Sequence, residues 1–197
     1  MWFVMQRGIF DYFSDSFLLI FISKRIIIKE IKIHKKETIM KKEEKTNVMR
    51  LLDGKKINYQ SYNYVSSGVV SGIEVASVLE QDPNKVFKTL VTESGTKKNY
   101  VFLVPVEREL DLKKCAKAVG EKSIAMIKSK ELLPLTGYIH GGCSPIGMKK
   151  QFVTVIDSSA LNFETIIFSG GKIGYQVEVS MEDLKKIVPF KTDDITV

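Results

Sequence analysis

The chain has 197 residues, 44% of them hydrophobic and 27% charged, with a formal net charge of +7. This length builds one ordinary domain with its own core, and this composition excludes a disordered, fibrous or disulfide-stapled chain. Two cysteines, Cys115 and Cys143, without CxxC spacing, give neither a zinc site nor a disulfide framework, so a reducing, cytoplasmic protein with no metal is expected.

The first 39 residues read differently from the rest. Their apolar run, Phe17 to Ile22, is far shorter than the roughly 20 residues that span a bilayer. Asp11 and Asp15 precede it and no small-residue cleavage site follows, so it does not resemble a signal peptide either. No membrane association is expected. At Met40 the text changes to MKKEEKTNVMRLLDG, a charged start running into an amphipathic helix. We read Met40 as the biological start, residues 1–39 as an extension outside the native domain, and 40–197 as the domain itself. Seven basic and four acidic residues give the extension +3, which leaves +4 for the remainder. That surplus suits transient contact with a polyanion and falls short of a dedicated nucleic-acid binder.

From Met40 the helical and extended periods alternate. Thr46 is placed to cap a helix with Val48, Leu51 and Leu52 on one face, and Gly54 to end it. INYQSYNY reads as a strand, and GIEVASVLE as a short helix with Val75, Val78 and Leu79 inward. VFKTLVT and YVFLVPV, separated by ESGTKKN, predict an antiparallel hairpin. Asp111 caps DLKKCAKAVG, whose stripe of Leu112, Cys115, Ala116 and Val119 stops at Gly120. Strands are predicted at FVTVID, ETIIFSG and YQVEVS, with GKIG turning between the last two. Ser180 and Asp183 open a final helix with a capping box. Helices set between antiparallel strands argue for an α+β fold.

Two local features bear on chemistry. In VFKTLV the side chains alternate, with Phe87, Thr89 and Val91 on one face and Val86, Lys88 and Leu90 on the other. Lys88 thus interrupts an aliphatic face. It is either a snorkelling surface lysine or an ammonium at a pocket rim, donating to a carbonyl or phosphate oxygen, and spacing alone does not choose. The second feature is GGCSPIG, residues 141–147. Gly141, Gly142 and Gly147 permit positive φ and close backbone approach, while Pro145 stiffens the turn. Such a loop can present several amides to one oxygen, or it can be a tight connection. Cys143 lacks an oriented base, since His140 sits three residues away with no acid beside it, and Ser144 lacks a nucleophile elbow.

VFKTLVT, YVFLVPVERELDLKKCAKAVGEKSIAMI, LLPLTGYIHGGCSPIGMKKQFVTVID and SGGKIGYQVEVS together resemble the YbaK/EbsC family of aminoacyl-tRNA deacylases, relatives of the editing domain inserted in bacterial prolyl-tRNA synthetases. The resemblance runs from Met40 to about Val188. It implies a mixed, barrel-like β-sheet with flanking helices, an aminoacyl-tRNA deacylase domain over 40–197, and no metal or organic cofactor. It further implies hydrolysis of cysteine mischarged onto tRNA(Pro), with prolyl-tRNA synthetase as a partner in trans. The K-T-L motif falls on Lys88 and Thr89, and the G-G-x-S-P-x-G loop on Gly141, Gly142, Ser144, Pro145 and Gly147. The S-G-G motif places Ser169 and Gly170, and a pocket tyrosine of some members falls on Tyr64. Lys88, Gly141 and Gly142 are the expected catalytic groups and the others the expected substrate contacts. Some members have an aspartate where this chain has Gln176, so no role carries over there. A deacylase for another small residue such as alanine, using bound water, and a non-catalytic module binding tRNA or a synthetase both remain open.

Overall fold

Cap chemistry and alternating strands account for most of the architecture. A computed structural model describes residues 45–69 and 71–197. The extension read over residues 1–39, and the start read at Met40, lie outside the described residues. Thr46 caps α1 (Asn47–Gly54) by accepting the Met49 N–H. Val48, Met49 and Leu52 face inward and Leu51 is exposed, so the buried stripe lies one position away from the one expected. Gly54 remains helical and the left-handed residue is Lys56. The strand expected over INYQSYNY is shorter, β1 (Gln60–Asn63). In α2 (Gly72–Val78) Val75 and Ala76 are buried while Val78 is exposed, against the stripe predicted there.

β2 (Phe87–Ser94) and β3 (Asn99–Pro105) form the predicted antiparallel hairpin, with Lys88 opposite Val104 and Thr89 opposite Leu103. Asp111 caps α3 (Leu112–Val119) through the Lys113 and Lys114 amides, and Gly120 ends it in the left-handed conformation. β4 (Ile124–Met126) and α4 (Ser129–Thr136) follow, then β5 (Val153–Asp157), β6 (Thr165–Ser169) and β7 (Tyr175–Ser180). Ser180 caps α5 (Met181–Ile187), and β8 (Phe190–Asp193) closes the order.

The α+β architecture expected from sequence is present, with its strands divided between two sheets. One is antiparallel, β1-β7-β6; the other, β4-β2-β3-β5-β8, is mixed because β3–β5 and β5–β8 run parallel. β3 is covered on both faces. Val101 and Leu103 join the main core with Phe87, Val91, Phe168 and Val177, while Tyr100, Phe102 and Val104 pack on Cys115 and Ala116 of α3. A third cluster of Ala76, Val86, Val106 and Ile167 sits where the sheets meet, and Val86 makes a parallel bridge to Ile167.

That junction determines where a ligand can enter. β4 pairs with β2 only at Thr92–Ser94, so among the described residues the second edge of Phe87–Leu90 has no strand partner. An unpaired edge next to a sheet junction leaves space that backbone alone cannot fill.

Candidate active site

A cavity of about 250 Å³ opens at this edge, lined by consecutive residues Val86 to Leu90. Its apolar wall comes from Val75, Val86, Phe87, Leu90, Val106 and Leu132, and its polar wall from Tyr64, Ser71, Lys88, Thr89, His140, Ser169 and Gln176, with Gly72, Gly141 and Cys143 completing it. At roughly 30 Å³ per water-sized group, the space accepts about eight such groups. A group the size of a small amino acid fits this space.

Lys88 lies where no apolar cluster closes. On its face of β2, Val86 belongs to the junction cluster and Leu90 packs on the α3 core. The lysine stem crosses the gap, and the ammonium donates to Glu109 Oε1 at 3.0 Å and to the Val106 carbonyl at 3.5 Å. Its side chain is 27% exposed, which puts the charge at the rim, where partial desolvation strengthens donation to an incoming oxygen.

The 141–147 loop divides into two halves. Gly141 lines the cavity with φ +79°, a conformation that a Cβ would strain. Gly142 is needed for close approach instead, since a Cβ there would come within 3.3 Å of the Ile173 nitrogen. Its amide donates to the Ile139 carbonyl at 3.0 Å, closing the turn. Gly142 therefore shapes the loop; Gly141 and Cys143 line the cavity, and neither amide has a hydrogen-bond acceptor among the described residues. The second half points elsewhere. Ser144 is fully buried and its Oγ accepts the Ile146 N–H at 3.4 Å; Pro145 and Gly147 line a separate hollow with Met148 and Phe152.

Cys143 is a wall residue. Burial pushes its thiol up to about 12, outweighing a hydrogen bond to Thr136, so the sulfur stays protonated at neutral pH. Tyr64, 7% exposed, has its phenol raised by burial, and its amide donates to the Gly174 carbonyl at 2.8 Å. Ser169 Oγ accepts the Gly171 amide at 3.2 Å, and Gly170, outside the cavity lining, donates to the Tyr175 carbonyl at 2.9 Å.

The least expected wall residue is Gln176. It is 5% exposed, stands in register with Tyr62 on one side and Ser169 on the other, and its Oε1 has no hydrogen-bond partner. Thr89 Oγ1, across the cavity, is also buried without a partner. Buried polar atoms are almost always bonded, so an unbonded hydroxyl and an unbonded amide oxygen on one small cavity point to a polar ligand. In the sequence Gln176 is one of three alternating polar positions of YQVEVS, with Glu178 and Ser180, so nothing in the strand marked it out. Behind it, Glu178 accepts from Lys85, Tyr62 and Thr165, each at 2.5 Å. Burial opposes its ionisation, but these bonds outweigh that and hold the carboxyl below its usual range.

Of the sequence-derived candidates, Tyr64, Lys88, Thr89, Gly141 and Ser169 share the cavity, while Gly142, Ser144, Pro145, Gly147 and Gly170 lie outside its lining. Among the described residues no group of three His, Cys, Asp or Glu side chains could hold a metal, and no helix is long and apolar enough to cross a membrane.

Comparison with known proteins gives concordant matches. The family described as aminoacyl-tRNA editing domain matches residues 67–187. A protein from Enterococcus faecalis, EbsC, assigned provisionally as a Cys-tRNA(Pro)/Cys-tRNA(Cys) deacylase, is 41% identical over 157 residues, covering 79% of this chain and 96% of its own. Among solved structures, a provisionally assigned trans-editing enzyme for prolyl-tRNA synthetase superposes with a TM-score of 0.67 at 20% identity, over 77% of this chain and 98% of that one. The hypothetical protein APE2540 superposes with a TM-score of 0.68 at 19% identity, over 77% and 100% respectively. At these identities the structural matches speak to the fold.

Proposed function

The chain belongs to the aminoacyl-tRNA editing domain family, and from that premise we propose that it is a cytoplasmic deacylase that clears cysteine mischarged onto tRNA(Pro), acting in trans to prolyl-tRNA synthetase. The observation that carries this reading is one small cavity that combines a rim ammonium, two unbonded loop amides, an unbonded hydroxyl and an unbonded amide oxygen. In this reading the Gly141 and Cys143 amides donate to the ester carbonyl oxygen as negative charge develops on it, Lys88 anchors the 3′ end, and Phe87, Val75 and Leu132 exclude larger side chains. An aligned donor of this kind contributes about 2.7–4 kcal/mol to the transition state.

No side chain of the cavity is poised as a nucleophile, since the Cys143 thiol is held neutral. The substrate thiol takes that part. Its sulfur bonds to the ester carbonyl carbon, the bond to the tRNA oxygen breaks, and the thiol proton ends on the released tRNA hydroxyl. The cyclic thioester then hydrolyses to cysteine. A second reading has one specific support: Thr89 Oγ1 and Gln176 Oε1 are suited to hold a water that attacks an alanyl ester instead. Single-turnover deacylation of Cys-tRNA(Pro) and Ala-tRNA(Pro), with and without prolyl-tRNA synthetase, separates the two. The thiol mechanism predicts fast loss of the cysteinyl ester and survival of the alanyl ester and of S-methylcysteinyl-tRNA(Pro). Equal loss of all three favours water, and loss of none, with tRNA binding retained, makes the protein a binding module.

A further inference from the structure

Lys88 stands between two hollows. Besides the cavity it lines a shallow groove of about 230 Å³ with Leu90, Glu109, Leu110, Leu112 and Met126. Both hydrogen bonds of its ammonium run to the segment that follows β3, at Val106 and Glu109. The backbone of that segment is fixed by the C-terminal residues. Glu109 accepts the Val197 N–H at 3.1 Å, Leu110 bridges Thr196, and the Asp111 N–H donates to Ile195 at 2.9 Å. The Glu109 side chain, by contrast, is 78% exposed. A carboxylate on an anchored backbone, projecting into solvent and touching the cavity's Lys88, is placed to set where that ammonium rests.

Building on the deacylase reading above, we propose that Glu109 is a positioning residue that holds the Lys88 ammonium at the rim and is exchanged for an oxygen of the substrate's 3′ end as the aminoacyl-tRNA enters. An exposed ion pair shifts an equilibrium by a factor of about five at most, so the contact is weak enough to break on every turnover. An oxygen held against the cavity's apolar wall is the stronger partner. Until the exchange occurs, the carboxylate competes with the substrate for Lys88 and places negative charge beside an incoming polyanion. Both effects raise KM, and neither touches the chemical step once the ammonium is seated. Glu109 thus lowers affinity for substrate and product alike and favours release.

The test is steady-state deacylation of Cys-tRNA(Pro) by the full chain and by Glu109→Gln, with Glu107→Gln as a control that removes the same charge from an exposed neighbour in the same turn. The exchange predicts a KM lower by about two- to fivefold in Glu109→Gln, with kcat moving less than KM, and a smaller change in Glu107→Gln. An equal fall in both variants would make the effect one of bulk charge and overturn the proposal. So would an unchanged KM, or a loss of kcat at constant KM, which would put Glu109 in the chemical step. A wild-type protein that leaves Cys-tRNA(Pro) intact fails at the earlier stage and removes the deacylase reading and this inference together, an outcome distinct from an active wild type with an indifferent Glu109→Gln.

Discussion

Asp157 and the pair Thr89 and Gln176 are polar groups placed in or beside apolar packing, and they are treated in opposite ways. Asp157, 1% exposed at the end of β5, accepts from the Ser159 amide and hydroxyl at 3.0 and 2.6 Å, and from the Ile195 amide and Thr196 hydroxyl, both at 3.2 Å. Two of these bonds cap the turn that follows β5, and the other two tie the C-terminal segment to the sheet. Thr89 Oγ1 and Gln176 Oε1, lining the cavity, have none. An unmade buried hydrogen bond costs about 1–3 kcal/mol, so the fold gives up stability at the cavity, as it does at the buried polar atoms of Gln81 and Thr92 outside it. The contrast separates groups that hold the structure from groups that await a substrate.

The comparison can be broken in several ways. Lys88→Met carries the largest expected effect, a fall in kcat/KM of about 10²- to 10³-fold, with a denaturation midpoint close to wild type because its ion pair with Glu109 is exposed. Asp157→Ala is expected to reverse the pattern. It loses about 3 kcal/mol of unfolding free energy, measured in urea, while the fraction that remains folded keeps its turnover rate per molecule. Activity lost in strict proportion to the folded fraction would agree with this; a lower rate per folded molecule would join Asp157 to the site.

The smallest effect concerns pH. Glu178 titrates below its unfolded value of about 4.3 because three hydrogen bonds outweigh the opposing effect of burial. A depressed carboxyl contributes stability that is complete above the unfolded pKa and is lost as pH falls through the folded one. Urea midpoints between pH 6 and pH 3 should therefore fall less steeply in Glu178→Gln than in wild type; parallel curves would remove Glu178 from the acid response.

Much of this architecture was legible in the sequence wherever a local rule sufficed. Thr46, Asp111 and Ser180 cap the helices they were expected to cap, and the β2–β3 hairpin pairs as its turn residues indicated. The failures share one cause. β4 and β8 are only three and four residues long and owe their existence to neighbouring strands, which no window of sequence displays. α4 carries Pro134 inside it, a residue that argues against a helix. Leu51, Val78 and Leu112 lie on helical stripes and are nevertheless exposed, because what covers a helix is decided by the tertiary fold.

The site follows the same division. Lys88 was visible as a break in an aliphatic face, and Gly141 as part of a glycine loop. Glu109, twenty-one residues from Lys88, could not be paired with it by any spacing rule. Gln176 was set aside because its chemistry departs from the aspartate of some relatives, yet its place in the register between Tyr62 and Ser169 puts it on the cavity wall.

The central claim is that the open polar groups of the cavity exist for the substrate and at the expense of the fold. The double variant Thr89→Val/Gln176→Leu tests it most directly, with urea denaturation and Cys-tRNA(Pro) deacylation measured on the same preparation. The account predicts a midpoint equal to or above wild type, because two unbonded buried groups are gone, together with a loss of at least about tenfold in kcat/KM. A protein that is less stable and still deacylates at the wild-type rate would contradict it.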